Sequence, residues 1–318
     1  MTAVPADFRA LSARLGQDPL QVQGPGGNTS FKDGDVMWIK ASGTELAEAE
    51  TKDIFVAVDR ERAKAEAMGA GDGTCKATVL DPENTLRPSI ETTFHALLDW
   101  KVVAHTHSVA TLVHAISAQG RAAAREKLAG LPFVLVPYRK PGVPLTGAIA
   151  ERITAETQVI ILESHGLVCA GESVEAASDM IAEVERRLAM PVHVAAAPAP
   201  ATAPPDGYVW EEHATPLACD PRLRALALAG SYYPDHVVFL GAALPTEPGG
   251  VSVVCAEGVA LKSGATSSQT AMLRCLMDVL GRLPEDWTPE AIGLDAEAEL
   301  LNWDAEKYRQ ALAEKSSA

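Results

Sequence analysis

The 318-residue chain is long enough for one large domain or two, and its 47% hydrophobic and 22% charged residues are those of an ordinary globular protein. A net charge of −15, with no cluster of lysine and arginine to reverse it locally, argues against nucleic acid and anionic membrane surfaces as partners. No window approaches eighteen consecutive apolar residues, and the start MTAVPADFRALSARLGQ lacks the apolar core of a signal peptide, so the reading is cytoplasmic. Five scattered cysteines, never in a CxxC pair, suggest neither a disulfide framework nor a cysteine zinc site.

In chain order, ADFRALSARLG has apolar residues at helical spacing and stops at Gly16. GPGGNTSFKDGDVMWIKASG follows, with a glycine-rich loop, a hairpin-type KDGD turn and the short strand VMWIKAS. IETTFHALLDW is helical, KVVAHT a strand, and VATLVHAISAQG a helix ending at Gly120. FVLVPY and QVIILES are two more strands. SVEAASDMIAEVERRLAM is a helix capped by Ser173, with Ala177, Met180, Ile181, Val184 and Leu188 as its apolar stripe. Strands and helices interleave, which argues a layered α/β domain over residues 1–189. The Ala/Pro-rich stretch at 190–207 reads as a linker. Residues 208–318 then form a smaller α+β domain, with DHVVFLG and VSVVCAEGVALKS as strands and TSSQTAMLRCLMDVLGRL and AEAELLNWDAEKYRQALAEK as helices. Trp210, Trp287 and Trp303 are expected to pack that domain.

Two imidazoles stand out in VVAHTHSVA. On a strand His105 and His107 project the same way, about 6–7 Å apart at their Cα atoms, and can close on one divalent ion. The plain alternative is a pair of strand-end histidines, one bonded to backbone and one solvated. His165, in QVIILESHGLVCAG, also follows an apolar run and has room beside Gly166 for close approach to a ligand. It completes a His₃ set with an open position. Glu91, in RPSIETTFH, is expected in the first turn of a helix capped by Ser89, where a carboxylate suits the helix dipole; near a metal it becomes a general base or a fourth ligand. His95 shares its helical face and reads as a core histidine or as a partner of that site. Near the start, Gly24, Gly26 and Gly27 with Asn28, Thr29 and Ser30 form a loop able to cradle an anion, and Lys40-Ala41-Ser42-Gly43 offers a cation, a hydroxyl and a glycine. His114, His193, His213 and His236 have no neighbours that suggest a role, and Asp235-His236 reads as a turn entering a strand.

Taken in order, GGNTS, KASG, PSIE, HTH and SHG resemble the class II aldolase/adducin family over about residues 8–190, and are most similar to the aldolase part of proteins that join such a domain to a short-chain dehydrogenase. The resemblance implies a layered α/β/α fold, an aldehyde-lyase activity on a ketose phosphate or related sugar acid, and Zn2+ or another divalent transition metal held by His105, His107 and His165. It makes Glu91 the acid/base residue, and matches Asn28, Ser42, Gly43 and Ser89 to phosphate-holding positions. Lys40, where the typified aldolases carry a neutral residue, adds a charge; Ile90 takes the place of a second serine. The same scaffold supports sugar-phosphate 4-epimerisation, decarboxylation and dehydration, and survives in adducin-like modules as a non-catalytic binding unit. By the same analogy the chain assembles as a homo-oligomer, a tetramer in the family.

Overall fold

The structure, a computed structural model, describes residues 4–195 and 197–304. Helix α1 (Ala6–Gln17) leads into β1 (Asn28–Asp33) and β2 (Val36–Lys40), a hairpin whose two-residue turn has Gly34 at φ +58°. Then come β3 (Phe55–Asp59), α2 (Arg60–Ala67), α3 (Thr92–Leu97), β4 (Val102–Thr106), α4 (Val109–Ala115), α5 (Ala118–Lys127), β5 (Phe133–Val136), α6 (Val143–Ala150), β6 (Val159–Leu162), β7 (Gly166–Gly171) and α7 (Val174–Leu188). The seven strands form one sheet in the order β3-β2-β1-β4-β7-β6-β5, antiparallel throughout except for the parallel pair β5–β6.

Alternation along the strands explains the layering. Val102 and Ala104 pack with α1, α5 and α7, whereas Val103 packs with Phe94 of α3 and Leu145 of α6 on the opposite face. The sheet is therefore covered on both sides, the α/β/α arrangement expected from the sequence. The α7 stripe is buried at Ala177, Ile181, Val184 and Leu188. Its three larger residues each contribute roughly 1.5–3 kcal/mol by leaving water. Ser173 accepts from the Ala176 N–H as its N-cap.

The helix expected to end at Gly120 is two helices. Ser117 interrupts it in an extended conformation and caps α5 by accepting from the Gly120 N–H, so that Gly120 lies inside the second helix. A Cβ there would come within 2.4 Å of the His114 carbonyl oxygen, which explains glycine in a helix interior.

The described residues between 190 and 206 carry no helix or strand. Beyond them lie β8 (Tyr208–Trp210), α8 (Pro216–Cys219), α9 (Pro221–Ala229), α10 (Pro234–Leu240), β9 (Ser252–Val254), β10 (Val259–Lys262), α11 (Ser267–Gly281) and α12 (Leu294–Leu301), with the three strands in the order β8-β10-β9. DHVVFLG is thus helix α10 and not a strand. Every residue of α10 is buried, so it has no polar face to reveal a helical period. Trp303, expected in the C-terminal core, instead faces Lys140, whose Nζ lies 4.5 Å from the ring centroid. The remainder of the last expected helix lies outside the described residues.

The C-terminal part does not stand apart from the sheet. Val109, Leu112 and Val113 of α4, followed by Ile116, share one apolar cluster with Tyr233, Phe239, Leu273 and Leu276. This docks α10 beside the residues that precede α4, which are the HTH histidines. No helix among the described residues is long and apolar enough to cross a membrane.

Candidate metal centre

β4 and β7 run antiparallel, pairing His105 with Val168 and Thr106 with Leu167. The carboxyl end of β4 therefore meets the amino end of β7, and His105 and His107 arrive beside His165. Ser164, just before His165, holds φ +50°, a left-handed conformation uncommon for serine that turns the chain between β6 and β7. Gly166 has no room for a side chain: a Cβ would lie 2.4 Å from the Thr106 carbonyl oxygen. Its close approach is to the neighbouring strand and to the ring of His105.

One ring nitrogen from each of His105, His107 and His165 lies within 4.8 Å of the others, and all three residues are buried. Glu91 reaches in from the other side, with Oε2 3.4 Å from His105 Nε2 and Oε1 3.4 Å from His165 Nε2. His105 Nδ1 lies 2.9 Å from the Leu167 carbonyl oxygen, which only accepts, so the ring proton is on Nδ1 and the Nε2 lone pair is turned to Glu91. His105 Nε2 and Glu91 Oε1 have no hydrogen-bond partner among the described residues. Acceptors thus face acceptors in a buried cleft, an arrangement that a cation reconciles.

Burial lowers the pKa of His105 and, to about 3, that of His165, so both imidazoles are neutral and suited to ligate. Burial alone would raise the Glu91 carboxyl, but the facing imidazoles and the Asn28 amide outweigh it and hold it below its ordinary range. The residue set fits a divalent transition metal: three imidazoles, one carboxylate, and the His105 Nε2 lone pair aimed inward.

Glu91 stands at the N-cap position of α3, one residue before the first turn where it was expected. Ser89 acts a step earlier: its Oγ accepts from the Glu91 N–H, and its carbonyl accepts from the Thr92 N–H. Asn28 Nδ2 donates to Glu91 Oε2 at 2.8 Å and to Ser89 Oγ at 3.2 Å. Its Oδ1 faces His95 Nε2 at 2.5 Å, and His95 Nδ1 lies 2.8 Å from Ser30 Oγ. The chain of donors is consistent in one direction only, Ser30 hydroxyl to His95, His95 N–H to Asn28, and Asn28 amide to the carboxylate. His95 is therefore both a fully buried core histidine and part of the site.

The anion-binding expectations divide. Ser42, Gly43, Ser89 and Lys40 line the same cleft as Glu91, His107 and His165, together with Ile90. Gly43 holds φ +79°, and the segment is tied down by the Ser42 N–H on the Arg87 carbonyl and the Ser89 N–H on the Lys40 carbonyl. Lys40 Nζ donates to the carbonyls of Pro25 and Thr44, so its charge stands at the cleft while it also ties two loops together. Thr29 and Ser30 belong to β1, and they turn to Ser12 and His95 instead of to the cleft. Gly24 and Gly27, both at positive φ, serve close packing. A Cβ at Gly24 would meet Ser268 of α11, and one at Gly27 the His105 carbonyl.

Asp235, read from the sequence as structural, lines the cleft too, with Oδ2 3.0 Å from His107 Nδ1. The only trace of it in the sequence is a charged residue inside the apolar run YYPDHVVFL.

A Thermoplasma acidophilum structure of the N-terminal class II aldolase domain of a conserved protein superposes with a TM-score of 0.50 at 27% identity, covering 59% of this chain and 94% of that one. An L-fuculose 1-phosphate aldolase structure gives 0.40 at 21% identity, covering 58% and 84%. A Bacillus subtilis (strain 168) protein described as uncharacterized oxidoreductase YuxG is 34% identical over 180 residues, which are 51% of this chain and 25% of that protein. The chain thus spans only about a quarter of that curated relative. Residues 8–192 match the family described as class II aldolase and adducin N-terminal domain, more than half of the chain, and the protein belongs to that family.

Proposed function

We propose that the chain is a metal-dependent aldolase that cleaves a phosphorylated ketose or a related sugar acid. Residues 1–189 are its catalytic domain and 208–318 an accessory domain joined by the 190–207 linker. His105, His107 and His165 would hold Zn2+ or another divalent transition metal. The observation that supports this most is the buried approach of His105 Nε2, whose ring proton is held on Nδ1, to the Glu91 carboxylate at 3.4 Å, with His165 Nε2 3.4 Å from the other carboxylate oxygen. A divalent ion held there supplies Lewis-acid stabilisation of negative charge on a substrate carbonyl oxygen and its neighbouring hydroxyl oxygen.

The chain's own residues do the rest. Asn28 fixes one Glu91 oxygen by its amide, and the other has no hydrogen bond among the described residues. Glu91 is thus oriented to move a proton at the carbon next to the carbonyl. In the cleavage direction the Glu91 carboxylate takes up the hydroxyl proton of the departing carbon, the C–C bond breaks, its electron pair passes to the carbon next to the carbonyl, the departing fragment becomes an aldehyde, and Glu91 returns the proton to that carbon. Ser42, Gly43 and Ser89, with the charge of Lys40, hold the substrate's anionic end. Asn28, whose amide is engaged with Glu91, Ser89 and His95, acts through Glu91 instead of on the phosphate.

The test is incubation of the metal-loaded protein with ketose phosphates and sugar acids, with identification of the products. Release of an aldehyde with dihydroxyacetone phosphate or its acid counterpart supports the reading. An epimer, carbon dioxide or loss of water would replace it with epimerase, decarboxylase or dehydratase. Turnover of no member of the panel by metal-loaded protein would favour an adducin-like binding module.

A further inference from the structure

Asp235 belongs to α10, outside the stretch that matches the family, yet it is buried against a histidine of the centre. Its Oδ2 lies 3.0 Å from His107 Nδ1, and the side chains of Asp235 and His107 are only 3% and 7% exposed. A carboxylate so deeply buried must be offset by a partner that carries a positive charge or a donor. His107 Nδ1, at 3.0 Å, makes a close electrostatic contact with it, without the alignment of a hydrogen bond.

The backbone around the contact is shaped for it. Gly26 is the point where the N-terminal loop passes the pair, and a Cβ there would lie 2.8 Å from His107 Nδ1 and 3.0 Å from Asp235 Oδ2. Any side chain at 26 would wedge between carboxylate and ring. The two elements that carry the pair are held together by apolar packing. α10 contributes Val238, Phe239 and Leu240 to a cluster that also contains Leu112 and Val113 of α4, the helix that begins two residues after His107. Asp235 therefore does not reach the site from a loose surface segment.

We propose that Asp235 is a positioning residue of the metal centre: it holds the Nδ1 side of His107, so that the other ring nitrogen presents its lone pair to the ion. This inference rests on the metal reading of the three histidines. His105 shows the same logic with a different partner, the Leu167 carbonyl on its Nδ1. A carboxylate behind a ligating imidazole fixes the ring orientation and raises the basicity of the ligating nitrogen. On this account the residues beyond the linker complete a centre whose ligands all lie before it.

The experiment is a competition titration of metal-free full-length protein with Zn2+ against a chromophoric chelator, for wild type, D235N, D235A, G26A and V238A. D235N keeps the shape of the side chain, so it carries the test if D235A fails to fold. D235N and D235A are expected to weaken Zn2+ binding by about 10–100-fold, with G26A in the same direction. V238A removes packing beside the contact without touching His107, and is expected to lower the melting temperature at unchanged affinity. Co2+-substituted protein gives a second readout: D235N should shift or weaken the visible absorption bands of the wild type. Zn2+ affinity of D235N within about twofold of wild type, with an unchanged Co2+ spectrum, would overturn the proposal. So would an equal loss in V238A, since general loosening would then account for the effect. A wild type that binds no metal would overturn the metal reading itself and this inference with it, whereas tight wild-type binding with an unaffected D235N overturns this inference alone.

Discussion

The distance between the two strands that carry the imidazoles is set at Gly166, and Gly166→Ala tests how much depends on it. A Cβ there would lie 2.4 Å from the Thr106 carbonyl oxygen, 3.3 Å from His105 Cε1 and 3.4 Å from His107 Cα. A carbon–oxygen contact relaxes to roughly 3.3–3.6 Å, so β4 and β7 must part by roughly 1 Å at the point where both HTH histidines leave the sheet. Metal ligands tolerate about 0.2 Å. A misplacement of about 1 Å near a reacting centre costs on the order of 100-fold in rate, or about 2.7 kcal/mol. Overpacking a core position adds about 1–3 kcal/mol of lost stability. The assay is Zn2+ affinity by competition together with kcat/KM on whichever substrate is cleaved, beside a thermal melt to establish that the variant is folded. A folded Gly166→Ala protein whose metal affinity and kcat/KM stay within about threefold of wild type would refute the view that this glycine spaces the centre.

Three further predictions follow from the same geometry. Glu91→Gln keeps the shape but removes the base, and kcat should fall by about 10²–10⁴ with the melting temperature held or raised; a loss under tenfold would remove Glu91 from proton transfer. Asn28→Ala strands the His95 N–H and one Glu91 oxygen in the interior, and urea denaturation should show a loss of about 1–3 kcal/mol, with no loss if the Ser30–His95–Asn28–Glu91 relay carries no weight. His236 is fully buried, and burial lowers its pKa to about 3. The unfolded chain binds a proton below about pH 6.5 that the folded chain refuses, so stability should fall by about 1.4 kcal/mol per pH unit on this account between roughly pH 6 and 3. His236→Leu should flatten the decline by that slope, and identical slopes in the two proteins would contradict the buried neutral imidazole.

How much of this was legible in the sequence depended on whether a signal was local. HxH on a strand and SHG after an apolar run are local patterns, and period 2 alone places both HTH rings on one face. Helix α7 was equally readable, with a serine cap and a clean stripe. Helix α10 was misread because Pro234–Leu240 is buried all round, so its apolar run has no period to separate helix from strand. The break between α4 and α5 was missed because Ser117 caps by its own conformation inside a continuous helical pattern. The roles of Asn28 and Asp235 are set by tertiary contacts, with Glu91 and His95 in one case and His107 in the other, which no spacing along the chain encodes. The glycines at 24 and 27 looked like an anion cradle; Gly27 does line the cleft, and both also allow close packing, against Ser268 and the His105 carbonyl, that no spacing reveals.

The central claim is that three imidazoles and a carboxylate converge on a cation. Elemental analysis of purified protein, beside a His105→Ala/His107→Ala variant, addresses it most directly. The account predicts about one zinc or similar divalent ion per chain in the wild type and none in the variant. A wild type that holds no metal even after reconstitution, or a variant that retains it, would contradict the account.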